Sequence, residues 1–204
     1  MADKPLEPTR RSFLATAGAV AAGGALSNAA SELSDATAED AKRLSGDVQV
    51  RLRINGEERT LTVEPRTTLL SALRNRVDPP LTGSKEVCLR GNCGACTVMI
   101  DGRPAYSCLQ LACTLEDREI TTVEGLGEPG DLSPVQSAFC EKDALMCGFC
   151  TPGFVVATTA CLAKHPDADR DQIVGELSGN LCRCGTYPHV FEAAEAARDA
   201  QEGK

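Results

Sequence analysis

Eight of the eleven cysteines in this 204-residue chain fall into two quartets. The first is C-x4-C-x2-C-x11-C, at Cys88, Cys93, Cys96 and Cys108; the second is C-x2-C-x31-C-x-C, at Cys147, Cys150, Cys182 and Cys184. The two spacings cannot be superposed, so the chain is expected to build two different thiol sites rather than one site twice. Thiols bunched as C-x2-C and C-x-C beside glycine resemble metal loops, and an odd count fits poorly with a complete disulfide framework. A structural zinc centre draws two C-x2-C-like pairs onto one tetrahedral ion, to which a C-x4-C-x2-C run in a glycine-rich loop is a poorer match. Iron–sulfur ligation fits better. Two such groups in series make a wire rather than a reservoir, and a wire requires something at each end.

The bulk of the chain agrees with a small metalloprotein. At 42% apolar residues it is globular, with room for two small domains, and it has no Trp. Metal–thiolate bonds supplement so thin a core. The net charge of −8 argues against nucleic acid as a partner. There is no glycine-rich phosphate loop and no Ser/His/Asp pattern, and His165 and His189 are the only histidines. The chain is poorly equipped for acid–base chemistry of its own, so no catalytic residue is assigned and substrate turnover is expected elsewhere.

Residues 1–30 read as an export signal. Thr9-Arg10-Arg11-Ser12-Phe13-Leu14 is a twin-arginine signature, followed by a weakly apolar Ala/Gly run and by small residues at Ser27, Ala29 and Ala30 that offer a cleavage site. The run of about fourteen residues is too short and too weak to span a membrane. An ordinary secretory signal or a cytosolic tail is the alternative. Iron–sulfur groups are inserted in the cytoplasm, so export of the folded chain by the twin-arginine route, to the periplasm, is the consistent expectation. Residues 31–47, polar with scattered acids, read as a linker.

Residues 48–125 are expected to form the first domain. Val48, Val50, Leu52 and Ile54 alternate with polar residues, Asn55-Gly56 signals a hairpin, and Leu61 and Val63 continue on a second strand. Thr67 or Thr68 can cap a short helix with Leu69, Leu70 and Leu73, which Asp78-Pro79-Pro80 stops. In the loop from Cys88 to Cys96, Gly91 and Gly94 permit a tight curl that aims amide N–H groups at the sulfurs. A strand over 97–100, a turn at Asp101-Gly102, a strand delivering Cys108 and a last strand over 120–123 complete a small mixed sheet. This stretch resembles the plant-type ferredoxins, a β-grasp sheet with one helix. The resemblance implies a [2Fe–2S] cluster held by Cys88, Cys93, Cys96 and Cys108.

Residues 131–204 turn helical. Ser133-Pro134 and Thr151-Pro152 each read as an N-cap followed by proline, and further helices run from about Asp169 to Leu177 and from Tyr187-Pro188 into an Ala/Glu-rich tail. Four helices of ten to fifteen residues are expected to make a bundle, giving an α+β chain whose second domain is an all-α four-helix bundle. Cys147 and Cys150 fall in the turn before the second helix, Cys182 and Cys184 in the turn before the fourth. Both helix N-termini would then present positive dipole ends to an anionic cluster.

Cys147-Gly148-Phe149-Cys150-Thr151-Pro152-Gly153 and Gly179-Asn180-Leu181-Cys182-Arg183-Cys184-Gly185-Thr186-Tyr187 are similar to signatures of the iron–sulfur subunit of the molybdenum hydroxylases, the xanthine dehydrogenase and aldehyde oxidoreductase family. The resemblance runs from about Val48 to the C-terminus. It implies a second [2Fe–2S] cluster on Cys147, Cys150, Cys182 and Cys184, next to a molybdopterin dinucleotide on a large subunit. It also implies an outward path through the first cluster, commonly to an FAD-binding subunit, in a heterotrimer. An exported aldehyde oxidoreductase is the reading favoured by analogy; xanthine, N-heterocycle and carbon monoxide complexes stay open. A free-standing diferredoxin shuttle and a zinc-stabilised interaction module are the competing classes. Family members usually carry Gln before the first helical-domain cysteine, where it contacts the pterin, and this chain has Met146. A repacked contact and neutral drift are equally open. Arg183 either offsets cluster charge or is a surface cation. Cys113, Cys140 and Cys161, on apolar faces, read as buried packing thiols.

Overall fold

The hairpin opened by Asn55-Gly56 sets the register of the sheet. β1 (Val48–Ile54) and β2 (Glu57–Val63) pair antiparallel from Val48↔Val63 to Ile54↔Glu57. Their alternation buries Val50, Leu52, Ile54, Leu61 and Val63 on one face. The computed structural model describes residues 43–202; the twin-arginine motif, the signal expected over 1–30 and most of the linker expected over 31–47 lie outside them.

α1 (Leu69–Asn75) follows, with Thr68 as N-cap accepting from the Ser71 N–H at 3.2 Å. Its Leu69, Ala72 and Leu73 fill the core under the sheet with Leu52, Val98 and Ile120. β3 (Thr97–Ile100) and β4 (Arg103–Tyr106) form a hairpin about Asp101-Gly102, and β5 (Glu119–Thr121) slots between β1 and β3. β5 is parallel to β1 and antiparallel to β3, so the sheet is mixed, in the order β2-β1-β5-β3-β4.

Two local expectations change. Cys108 lies not on β4 but in the 3-10 turn Ser107–Leu109. The Ser107 N–H and hydroxyl both donate to the Cys96 carbonyl, at 3.2 and 2.8 Å, and bend the chain back over the first-quartet loop. β5 stops at Thr121 rather than reaching Val123. The Thr122 N–H donates to Asn55 Oδ1 at 2.8 Å instead of to a strand, and Val123 enters a 3-10 turn.

Four helices follow: α2 (Pro134–Glu141), α3 (Thr151–Lys164), α4 (Arg170–Leu177) and α5 (Tyr187–Glu202). Together with the sheet they make the chain α+β. Ser133 caps α2 in a full capping box with Gln136. α2 and α4 are eight residues each, shorter than expected. α2 closes early because Asp143 adopts φ +51° and the Ala144 N–H returns to the Phe139 carbonyl at 2.9 Å, a Schellman-type end. The N-cap of α3 is Cys150 rather than Thr151, and its side chain makes no capping hydrogen bond. Phe154, Leu162, Ile173, Leu177, Val190 and Ala194 are buried in one cluster shared by the helices.

β3 belongs to both halves. Val98 and Ile100 point into the core over α1, while Met99 on the other face packs on Val156 and Ala160 of α3. That double burial explains why β3 is apolar at consecutive positions after Thr97.

Candidate metal centres

Both quartets converge. In the first, Cys88 is hydrogen-bonded to Cys93, and Cys96 to Cys108. The backbone N–H groups of Arg90, Asn92 and Cys93 are aimed at Cys88, with the Asn92 nitrogen 3.3 Å from its sulfur. Those N–H groups outweigh burial and lower the Cys88 thiol to about 6, against an ordinary value of 9.0. Cys96 behaves oppositely: burial and the bond it gives to Cys108 push it up to about 11. The curl that sequence reasoning ascribed to glycine is present, with Gly91 at φ +72° and Gly94 at φ +68°, and Leu89 shares the left-handed region at +55°.

The second quartet is built on turns that precede helices, as expected. Cys150 is the residue before α3, and Cys182 and Cys184 precede α5. Here Cys184 donates to Cys147 and Cys150 donates to Cys182. Burial raises Cys150 to about 12. Burial also presses Cys182 upward, but hydrogen bonds from the Thr186 backbone and hydroxyl, from Cys150 and from the Cys184 N–H win and bring it to about 7. The Phe149 N–H lowers Cys147, and the proton that Cys184 gives to Cys147 raises Cys184. The Cys182 N–H in turn donates to the Tyr187 hydroxyl at 2.8 Å, and the Tyr187 ring meets Phe154 edge-on and stacks on Phe191. The turn is thereby tied to the helical core.

Three residues that sequence reasoning left without a role connect the quartets. The Tyr106 hydroxyl donates to the Gly179 carbonyl at 2.9 Å, and Asn180 Nδ2 donates to the Gly94 carbonyl at 3.0 Å. The Leu181 N–H donates to the Cys93 carbonyl at 2.9 Å. Tyr106 stands close enough to Cys96, Cys93, Cys108 and Cys88 that, after burial, their negative charge raises its phenol. Asn180 and Leu181 sit inside the Gly179-to-Tyr187 motif, so the motif marked them without stating what they bond to.

The remaining thiols divide. Cys161 is buried as expected, and Cys113 is half-buried with its sulfur donating to the Pro65 carbonyl at 3.1 Å. Cys140 is exposed, which corrects the expectation of a buried thiol: α2 turns Val135, Ala138 and Phe139 inward, and position 140 lies off that stripe. Met146 is 73% exposed beside Cys147, with Leu145, Phe149 and Leu181 also exposed around the second quartet. Lys85, from the approach to the first loop, lies over the Phe149 ring at 5.8 Å. Arg183 is exposed between two thiols.

The donor sets fit two-iron clusters. Such a group takes two thiolates on each of two irons, and the thiols stand in pairs: Cys88 with Cys93, Cys96 with Cys108, Cys147 with Cys184, Cys150 with Cys182. Within the resolved pairs one thiol is lowered and its partner raised, the mark of a proton held between two sulfurs, and bound iron would take its place.

Comparison with known proteins agrees with the geometry. Residues 52–146 match a 2Fe-2S iron-sulfur cluster binding domain, residues 122–195 a [2Fe-2S] binding domain, and residues 7–27 a TAT (twin-arginine translocation) pathway signal sequence. The chain is 46% identical to the nicotine 6-hydroxylase small subunit of Paenarthrobacter nicotinovorans, over 73% of this chain and 88% of that one. It is 41% identical to the aldehyde oxidoreductase iron-sulfur-binding subunit PaoA of Escherichia coli O157:H7, over 72% of this chain and 69% of the relative. Among solved structures, quinoline 2-oxidoreductase from Pseudomonas putida 86 superposes with a TM-score of 0.72 at 41% identity, covering 78% of this chain and 98% of the matched one. The aldehyde oxidoreductase from Desulfovibrio desulfuricans ATCC 27774 gives the same TM-score at 35% identity, covering 76% of this chain and 17% of that longer one.

Proposed function

The chain belongs to the iron–sulfur subunits of the molybdenum hydroxylases, and we propose that it is the electron-transfer subunit of an exported, aldehyde-oxidising complex. Cys88, Cys93, Cys96 and Cys108 hold one [2Fe–2S] group, and Cys147, Cys150, Cys182 and Cys184 hold the other. When bound, each group takes up and passes on one electron at a time. The observation that carries the reading is the convergence of both quartets into thiol pairs, with the Cys93 carbonyl bonded to the Leu181 N–H between them.

The protein's own residues set the conditions at each site. N–H groups around Cys88 and Cys182 favour the thiolate forms that iron requires. The N-terminal ends of α3 and α5 add positive dipole ends beside the second quartet. Exposed Leu145, Met146, Phe149 and Leu181 make that quartet the face for a large molybdopterin-bearing subunit. The first quartet then faces an FAD-binding subunit or another acceptor, in a heterotrimer. Residues 48–125 act as a β-grasp ferredoxin domain and 131–204 as a four-helix bundle domain. The twin-arginine match supports the periplasm as the place of work.

The aldehyde assignment draws on the PaoA relative together with the export signal. Oxidation of an N-heterocycle is the second reading, favoured by the nicotine 6-hydroxylase and quinoline 2-oxidoreductase relatives. Purification of the native complex from the periplasm, with metal, flavin and nucleotide analysis and a substrate panel, tests the proposal. The expected result is this chain with a molybdenum-containing large subunit and flavin, active on aldehydes. Isolation of the chain alone, red-brown and without molybdenum, would make it a free-standing shuttle instead.

A further inference from the structure

We propose that Tyr106 and Asn180 are positioning residues that clamp the two thiol sites at one fixed separation, an inference that rests on the two-cluster reading above. The Tyr106 ring packs on Leu70, Cys96 and Cys108, against the first quartet itself, and its hydroxyl reaches 2.9 Å to the Gly179 carbonyl in the turn that carries the second. Asn180 comes the other way. It is 5% exposed, two residues before Cys182, and its Nδ2 donates to the Gly94 carbonyl at 3.0 Å and to Thr97 Oγ1 at 3.3 Å.

The space around Asn180 is closed by backbone. A Cβ at Gly94 would stand 2.6 Å from Asn180 Cγ, and one at Gly153 would stand 2.4 Å from the Gly94 carbonyl oxygen. The first-quartet loop, the start of α3 and the turn before α5 therefore meet with only the Asn180 amide between them. The halves are also joined by the Leu181 N–H to the Cys93 carbonyl and by the apolar packing of Met99 on Val156 and Ala160. Apolar contact is non-directional and tolerates sliding, whereas buried hydrogen bonds hold direction and distance. Removing the amide leaves the Gly94 carbonyl with only the Thr97 N–H and hydroxyl of its own segment as donors, so the bond that crosses the junction is lost while the loop stays satisfied. Neither side chain belongs to a quartet, so the clamp acts on where the sites stand and not on whether they form.

The test uses the intact complex carrying Tyr106→Phe, Asn180→Ala or both, and reads iron content, the EPR signal of each cluster, and the spin–spin splitting between the two reduced clusters. Both clusters are expected to persist with their own signals. The splitting is expected to shift and broaden, more in the double variant than in the two singles added together, because the two bonds act on one junction. Gly153→Ala gives a second route: it wedges the junction without removing a hydrogen-bonding side chain, and is expected to shift the splitting too. Tyr106→Phe keeps the ring in place and is the variant least liable to lose the fold. An unchanged splitting in variants that retain both clusters overturns the clamp. A native complex with a single signal would instead remove the two-cluster reading, and the clamp with it.

Discussion

The backbone N–H of Leu181 donates to the carbonyl oxygen of Cys93 across 2.9 Å, so the residue next to a second-quartet thiol is bonded directly to a first-quartet cysteine. Eighty-six residues separate Asn180 from Gly94, the neighbouring pair joined by the Asn180 amide. Contacts this distant in sequence are closed at an entropic cost, which the buried Asn180 amide helps to offset. For an electron-transfer subunit the consequence is direct: the gap between the sites is bridged by hydrogen bonds from the Tyr106 and Asn180 side chains and the Leu181 N–H to backbone carbonyls, rather than by a linker.

Cys184→Ser should remove the second cluster and leave the first. Cys184 is paired with Cys147 at the exposed edge of its quartet, whereas Cys88, Cys93, Cys96 and Cys108 lie on another loop and turn. Iron analysis should fall by about half, the ferredoxin-like spectrum should remain, and turnover of the complex should stop. Dye-linked activity that survives loss of the inner cluster would contradict the series order.

In the metal-free chain, alkylation followed by mass spectrometry should separate the thiols by pH. Cys88 is lowered to about 6, so it is mostly thiolate at pH 7 and should label first, losing reactivity as pH falls through that value. Cys96 and Cys150, at about 11 and about 12, should stay unlabelled across the same range. The linkage has matching sign. The lowered thiol contributes stability above its unfolded pKa and loses it as pH falls through about 6; the raised thiols contribute below theirs and lose it as pH climbs toward 11 and 12. Uniform labelling that begins only above the ordinary thiol range would contradict this.

Phe154→Ala should cost about 3–5 kcal/mol, measured by chemical denaturation. Phe154 is fully buried and meets the edge of Tyr187, whose hydroxyl accepts the Cys182 N–H. Iron at the second quartet should therefore be lost before iron at the first.

The cysteine quartets, the strand alternation and the helix starts at Pro134 and Tyr187 were legible because each depends on spacing or on a local cap. The Cys150 N-cap, the exposed Cys140 and the early end of β5 were not. The last two depend on partners outside the local window: the buried face of α2 is chosen by what packs on it, and the Asn55 side chain takes the Thr122 N–H. The link through Tyr106 and Asn180 was hidden for the same reason. Asn180 stood within a motif whose cysteines attract attention, and nothing in sequence pairs it with Gly94.

Met146→Gln should leave both sites and the fold intact, with a stability change within about 0.5 kcal/mol, because the side chain is 73% exposed and makes no thiol pair. Iron content and EPR signals should match the native protein. An altered turnover with unaltered clusters then reports contact with the large subunit, and lost iron would show that Met146 supports the Cys147 turn.

The most direct measurement is rapid-freeze EPR of the purified complex mixed with an aldehyde substrate. Two distinguishable [2Fe–2S] signals should grow in within turnover time, because the two quartets offer different backbone surroundings to their sulfurs. A single signal integrating to one spin per chain, or clusters that stay oxidised while substrate is consumed, would contradict the account.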